Sequence, residues 1–354
     1  MRFILWLTVW LRRIVVLVIL FGIALAVPVL WVEFACKGTP LADDYTPVLP
    51  EEARRIEGRT YSGYPATYVT NAYADYADTL NGGDPHDYAF FGAIKGYWSS
   101  LCTLKKTAEA HGGMDADIKK AAYIDGVGLT ADMATKAAYE ETIGRIMTLI
   151  RGEAPAPLDL VEAQQAERFS ATLRNGSWDA RQYGEDASAL WAAKTNAPRD
   201  WERAIALNGE LRVKGFVASL VAPMLGDDPV MPDTTHVIVT DMPAETLGAV
   251  PGVQVVGPRG QGTEIAVSHG AAFTPAMLAI ARQGGTFVEV AGNDDILLTI
   301  STPSSSSAGL TPLLSFEKPD GSYRHLLETK VWGLSNRLRE LEGRGVGIDE
   351  IHDY

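Results

Sequence analysis

Apolar and polar positions fall into three textures along the chain. Residues 14–32 are nineteen in a row with no charge and no polar side chain, enough helix to match the hydrocarbon thickness of a bilayer. From 59 to 222 the apolar positions recur at helical spacing. Phe91, Ile94, Trp98, Leu101 and Leu104 mark one face of a helix over 88–110. A second helix is expected over 118–150, bending at Gly126 and Gly128, with Ile143, Ile146, Met147 and Ile150 as its apolar stripe. Helices continue over 158–222, with Trp178, Trp191 and Trp201 as core anchors. Tyr61, Tyr64, Tyr68, Tyr73 and Tyr76 read as core tyrosines whose hydroxyls reach the surface.

Past Pro223 and the hinge Gly226-Asp227-Asp228-Pro229 the period changes to two. Strands are expected at 235–240, 253–256, 264–267, 287–290, 296–300, 313–316, 323–329 and 346–351, and helices at 243–250, 274–283 and 332–342. The first six elements run β-α-β-β-α-β, the order of a ferredoxin-like unit. The strands at 287–290 and 296–300 are expected to form a hairpin across Gly292-Asn293-Asp294-Asp295. The fold class is therefore an N-terminal transmembrane helix, an all-α domain over 59–222 and a C-terminal α+β domain over 233–354.

Charge sets the direction of the chain. Arg2, Arg12 and Arg13 precede the apolar stretch, and Glu33, Asp43, Asp44, Glu51 and Glu52 follow it. This bias puts residues 1–13 in the cytoplasm and sends the bulk of the chain across. Ala24-Leu25-Ala26 has the small-x-small form of a signal-peptidase site, which leaves cleavage after Ala26 as the alternative. The apolar run continues past it to Val32, which favours a retained anchor. Residues 33–58, with Pro40, Pro47 and Pro50, read as a linker. The net charge of −13 argues against nucleic acid as a partner. Cys36 and Cys102 both lie beyond the apolar stretch. An oxidising compartment permits a disulfide between them; the alternative is two unrelated buried thiols.

Catalytic signatures are sparse. His86, His111, His236, His269, His325 and His352 have no metal-ligand spacing, so no metal or cofactor is expected. His352 beside Asp353 reads as a surface pair. There is no G-x-S-x-G elbow. Gly257 to Gly262 joins two strands instead of opening a helix, so it reads as a hairpin turn and not a phosphate cradle. Neither Asp115 with Asp117 nor Asp294 with Asp295 has the ligand spacing of a calcium loop. The one polar cluster singled out is Glu140, Glu141 and Arg145, with Glu141 and Arg145 at i, i+4.

Several short segments carry a resemblance: Thr60-Tyr61 with Tyr64-Pro65, Ala74-Asp75-Tyr76, Gly96-Tyr97-Trp98, the run from Tyr139 to Arg145, and the tail from Gly347 to Tyr354. In these the chain resembles an uncharacterised bacterial family of single-pass, membrane-anchored proteins of unknown function. The resemblance implies a single-anchor topology and a bacterial origin, and it carries no mechanism over. The leading expectation is a membrane-tethered periplasmic protein, a non-enzymatic binding or assembly module whose partner is another membrane or periplasmic protein. The alternatives are a small-ligand sensor using the ferredoxin-like unit, or an unrecognised enzyme.

Overall fold

A first helix, α1 (Arg2–Ala35), takes in the whole apolar stretch. The computed structural model describes residues 2–42, 45–151, 156–175, 181–225, 234–305 and 309–354, and the side chains of 2–9, 11, 14, 17, 18, 151, 175 and 221–225 lie outside that set. Among the described residues no helix is long and apolar enough to cross a membrane. The hinge at 226–229, Trp178 and the pair Asp43 and Asp44 fall outside the described residues.

The helical region holds α2 (Arg59–Ser62), α3 (Tyr64–Gly82), α4 (Phe90–Ala110), α5 (Ala116–Tyr139), α6 (Arg145–Arg151), α7 (Pro157–Asn175), α8 (Tyr183–Ala193) and α9 (Pro198–Leu225). Its main core joins Tyr73, Tyr76, Leu101, Leu129, Met133 and Phe169, and Val32 at the end of α1 enters the same cluster. The tyrosines are core, as their spacing suggests, but several hydroxyls turn inward instead of reaching solvent. Tyr76 donates to Glu162 at 2.8 Å and Tyr88 to the Ala72 carbonyl at 2.9 Å. A buried phenol needs such a partner to offset its desolvation.

Three expectations fail here. Helix α5 runs unbroken past Gly126 and Gly128, and the irregularity comes later, as a π-turn at Glu140–Gly144. One extra residue in a turn rotates everything downstream by about 100°. The stripe expected to be core accordingly faces outward, with Ile143, Ile146 and Ile150 all exposed. Trp191 and Trp201 are 43% and 42% exposed instead of anchoring the core. They meet edge to face at 5.7 Å, with the Lys194 ammonium over both rings.

The C-terminal domain is antiparallel throughout. Its first half runs β1 (Thr234–Thr240), α10 (Ala244–Gly248), β2 (Val253–Arg259), β3 (Gly262–Ser268), α11 (Phe273–Arg282) and β4 (Thr286–Val290). The second half runs β5 (Asp295–Thr302), β6 (Leu314–Glu317), β7 (Tyr323–Lys330), α12 (Val331–Gly343) and β8 (Gly347–Ile351). The sheet orders are β2-β3-β1-β4 and β6-β7-β5-β8. These are one permutation used twice, so the second half repeats the first with no helix between its first two strands among the described residues. The expected hairpin between 287–290 and 296–300 does not form. The turn is present, with Gly292 at φ +85° and a lone bridge between Val290 and Asn293. Beyond it β5 takes β7 and β8 as partners in the other sheet.

One core fills the space between the sheets, and α11 and α12 each touch both of them. The outer faces are covered too. Leu297 and Leu326 of the second sheet pack on Tyr61, Tyr64, Leu104 and Ala108 of the helical region. Covered on both sides, β5 is buried almost without alternation. The outer face of the first sheet is crossed by residues 45–53. Tyr45 Oη, Val48 N and Leu49 N donate to the fully buried Glu289 carboxylate at 2.5, 2.7 and 2.8 Å. Leu49 and Ala53 then pack on Ile238. The described parts of the stretch read as a linker are therefore held as a strap. Its earlier part is pinned to α4, where Lys105 Nζ donates to the Cys36 carbonyl at 2.9 Å and Gly38 N to Glu109 at 2.6 Å. Cys36 and Cys102 are joined by a disulfide.

Candidate functional site

Three helices bring charge into the helical core. Asp132, Lys136 and Glu140 follow one another at four-residue intervals along α5 and into its π-turn. Asp159 and Glu162 come from the first turns of α7, and Arg203, Glu210 and Lys214 from α9. All share faces with apolar neighbours such as Leu129, Met133 and Ala163, so packing those neighbours drags the charges inside.

Arg203 is the hub and is fully buried. Its guanidinium donates to Glu140 and to Glu162, and Nε lies 2.8 Å from Asp159 Oδ1, in ion contact but outside hydrogen-bond alignment. Lys136 bridges Glu162 at 2.7 Å and Glu210 at 3.2 Å. Lys214 bonds Glu210 and Asp132, and Asp132 also accepts from Tyr73. Five carboxylates (Asp132, Glu140, Asp159, Glu162, Glu210) thus face three cations (Lys136, Arg203, Lys214).

The surplus negative charge is uneven. Burial raises the carboxyl of Glu162, but Lys136 and Arg203 overcome this and hold it at about 2. Asp132 is likewise pulled down to about 2 by Lys214 and Lys136 against its burial. Glu140 goes the other way. Burial dominates over the Arg203 guanidinium and lifts it to about 7. Its Oε2 has no hydrogen-bond partner among the described residues. That oxygen lies 2.5 Å from where a Cβ on Gly144 would sit, so a side chain there would push the Glu140 carboxylate aside.

A sign follows for stability. Glu140 binds its proton more tightly folded than unfolded, so its contribution is full below about pH 4.5 and is lost as pH rises to about 7. Glu162 and Asp132 contribute above their ordinary values and lose this as pH falls toward 2. Glu140→Gln should therefore gain on the native protein in thermal midpoint between pH 4.5 and 7, and level off above. A difference independent of pH over that window would contradict the assignment.

The polar cluster singled out from the sequence is split by the fold. Glu140 points into this network, whereas Glu141 and Arg145 pair at 2.6 Å on the exposed face. His352 is buried, with Nε2 2.8 Å from Thr299 Oγ1, and Asp353 pairs with His269 instead, at 2.6 Å. Sequence reading missed Asp132, Lys136, Asp159, Glu162, Arg203, Glu210 and Lys214. The available signal was the four-residue run of charges on α5 sharing a face with Leu129 and Met133.

The cleft at the network, lined by Tyr73, Tyr76, Lys136, Glu162, Glu210 and Lys214, has a volume of about 20 Å³. That is room for one water, far below a small-molecule pocket. Lys136 is held well above its ordinary value by Glu162 and Glu210 against burial, so it is no nucleophile. The arrangement suits a specificity-setting ion network. Comparison with protein-family models, curated proteins and solved structures finds no match for this chain.

Proposed function

We propose that the protein is a membrane-tethered periplasmic module of the bacterial inner membrane, non-enzymatic, in which a helical pedestal presents an α+β domain to another membrane or periplasmic protein. The observation that carries this reading is the disulfide from Cys36 to Cys102 at the root of α1. Disulfides persist in oxidising compartments, and this one begins four residues after the apolar stretch ends. Along that stretch Val15, Val16, Ile19, Leu20, Phe21, Ile23, Val27 and Leu30 are exposed, with no protein covering them. Apolar side chains left exposed in this number suit a lipid environment. At its outer end Glu33 bonds Lys119 at 3.2 Å and Tyr123 at 2.5 Å, which fastens α1 to α5.

In this reading the C-terminal domain is a pair of ferredoxin-like units, supported by the repeated strand order. A ligand-sensor role loses support from the same geometry. The sheet faces such units offer to ligands are taken by the strap on one side and the helical region on the other. The net charge of −13 keeps nucleic acid off the partner list.

The test is topology in cells. With a C-terminal epitope tag, the chain should stay in the membrane pellet after carbonate washing. The tag should be destroyed by protease in spheroplasts but not in intact cells. Recovery in the soluble fraction, or a tag protected in spheroplasts, would overturn the proposal.

A further inference from the structure

Where the helical region meets the second sheet, side chains from three distant segments converge. Glu57 comes from the end of the strap, His111 caps α4, and Asp295 opens β5. Glu57 Oε2 lies 2.9 Å from His111 Nδ1, and Asp295 Oδ2 lies 3.9 Å from the same nitrogen. One donor atom from each falls within 4.8 Å of the other two. Their side chains are only 10%, 12% and 7% exposed. Metal–ligand bonds of about 2.0–2.2 Å give donor-to-donor edges of about 3 to 3.5 Å, so small side-chain shifts would close this set on one ion.

The surroundings are those of a built site. Glu57 Oε1 accepts the Asp295 N–H at 3.3 Å, which orients the carboxylate from behind. The Tyr61 hydroxyl is fully buried and has no hydrogen-bond partner among the described residues. Its ring stands 5.4 Å from that of His111, and its hydroxyl lies in the field of Glu328, Asp295 and Glu57. Two carboxylates face the His111 imidazole nitrogen, so the cluster is arranged to hold positive charge.

We propose that Glu57, His111 and Asp295 form a binding site for a divalent first-row transition metal ion of the zinc class, clamping the strap, the helical region and the second sheet together. An imidazole with two carboxylates suits such an ion better than calcium or magnesium, and no thiolate is involved. On binding, any proton on His111 Nδ1 leaves to solvent and the nitrogen lone pair goes to the metal. Lys330, 47% exposed, bonds Asp295 at 2.8 Å and Asp294 at 3.0 Å. It keeps Asp294 when the metal takes the Asp295 oxygen. The sequence hides the site, because its members are separated by 54 residues and by 184 more.

The test uses the untagged full chain in detergent, stripped with EDTA and dialysed. Co²⁺ is titrated as a spectroscopic probe, and Zn²⁺ is titrated against a chromophoric chelator. One equivalent of Co²⁺ should give visible d–d bands that Zn²⁺ bleaches, and Zn²⁺ should raise the thermal midpoint. His111→Gln should abolish the bands, and Glu57→Gln should weaken binding by about tenfold or more. The Glu57→Gln amide oxygen still accepts the Asp295 N–H, so that variant decides the matter if His111→Gln folds poorly. Absence of bands in the native chain, or equal binding by the native chain and Glu57→Gln, would overturn the proposal.

Discussion

Replacing Arg203 by methionine is expected to lower the stability of the helical region by about 3–5 kcal/mol, the usual cost of removing one partner from a buried ion network. The side chain is fully buried and stands against Glu140, Asp159 and Glu162. Methionine fills much of the volume but leaves those acids without their main counter-charge. Arg203→Lys should fall in between, since one ammonium cannot fork toward three carboxylates. Urea unfolding of the full chain in detergent, followed by far-UV circular dichroism, reads the effect. A loss under about 1 kcal/mol would mean that the network re-forms without its hub.

The second large effect is expected from Cys102→Ser. The bridge closes a loop with a sequence separation of 66, for which chain entropy alone predicts a loss of about 4 kcal/mol. The same drop should appear in the native chain on adding reductant, and Cys36→Ser should match Cys102→Ser. If reductant lowers the native midpoint but leaves both serine variants unchanged, the bridge is the cause. If reductant lowers the variants equally, it is not.

How far the sequence carried can be judged element by element. The helix over 14–32, the switch of period after Pro223 and most strand positions are local patterns, and they were readable. Interior charge was not. Asp132, Lys136 and Glu140 look like a solvated helix face until Leu129 and Met133 pull that face inward. The π-turn at Glu140 could not be read from spacing, and Ile143, Ile146 and Ile150, in it and beyond it, are exposed. Gly292-Asn293 signals a turn correctly, but turn chemistry does not say which sheet the next strand joins. The doubled strand order of the C-terminal domain stayed hidden because its second copy has no counterpart of α10 among the described residues. The Glu57, His111 and Asp295 cluster is a product of the tertiary fold alone.

The bridge at the base of α1 also decides how mechanical force would travel. A pull on α1 enters α4 through Cys36 and Cys102, a covalent shortcut past the residues between them. Segment 45–53 then carries no tension, and the three hydrogen bonds it makes to Glu289 are idle as a load-bearing joint. Reduction would reroute the pull along the backbone and set those bonds in series with it. Between the pull and that segment stand the contacts of Val32, Glu33, Cys36 and Gly38 with the helical region, so these would yield first and the segment would peel from the first sheet after them.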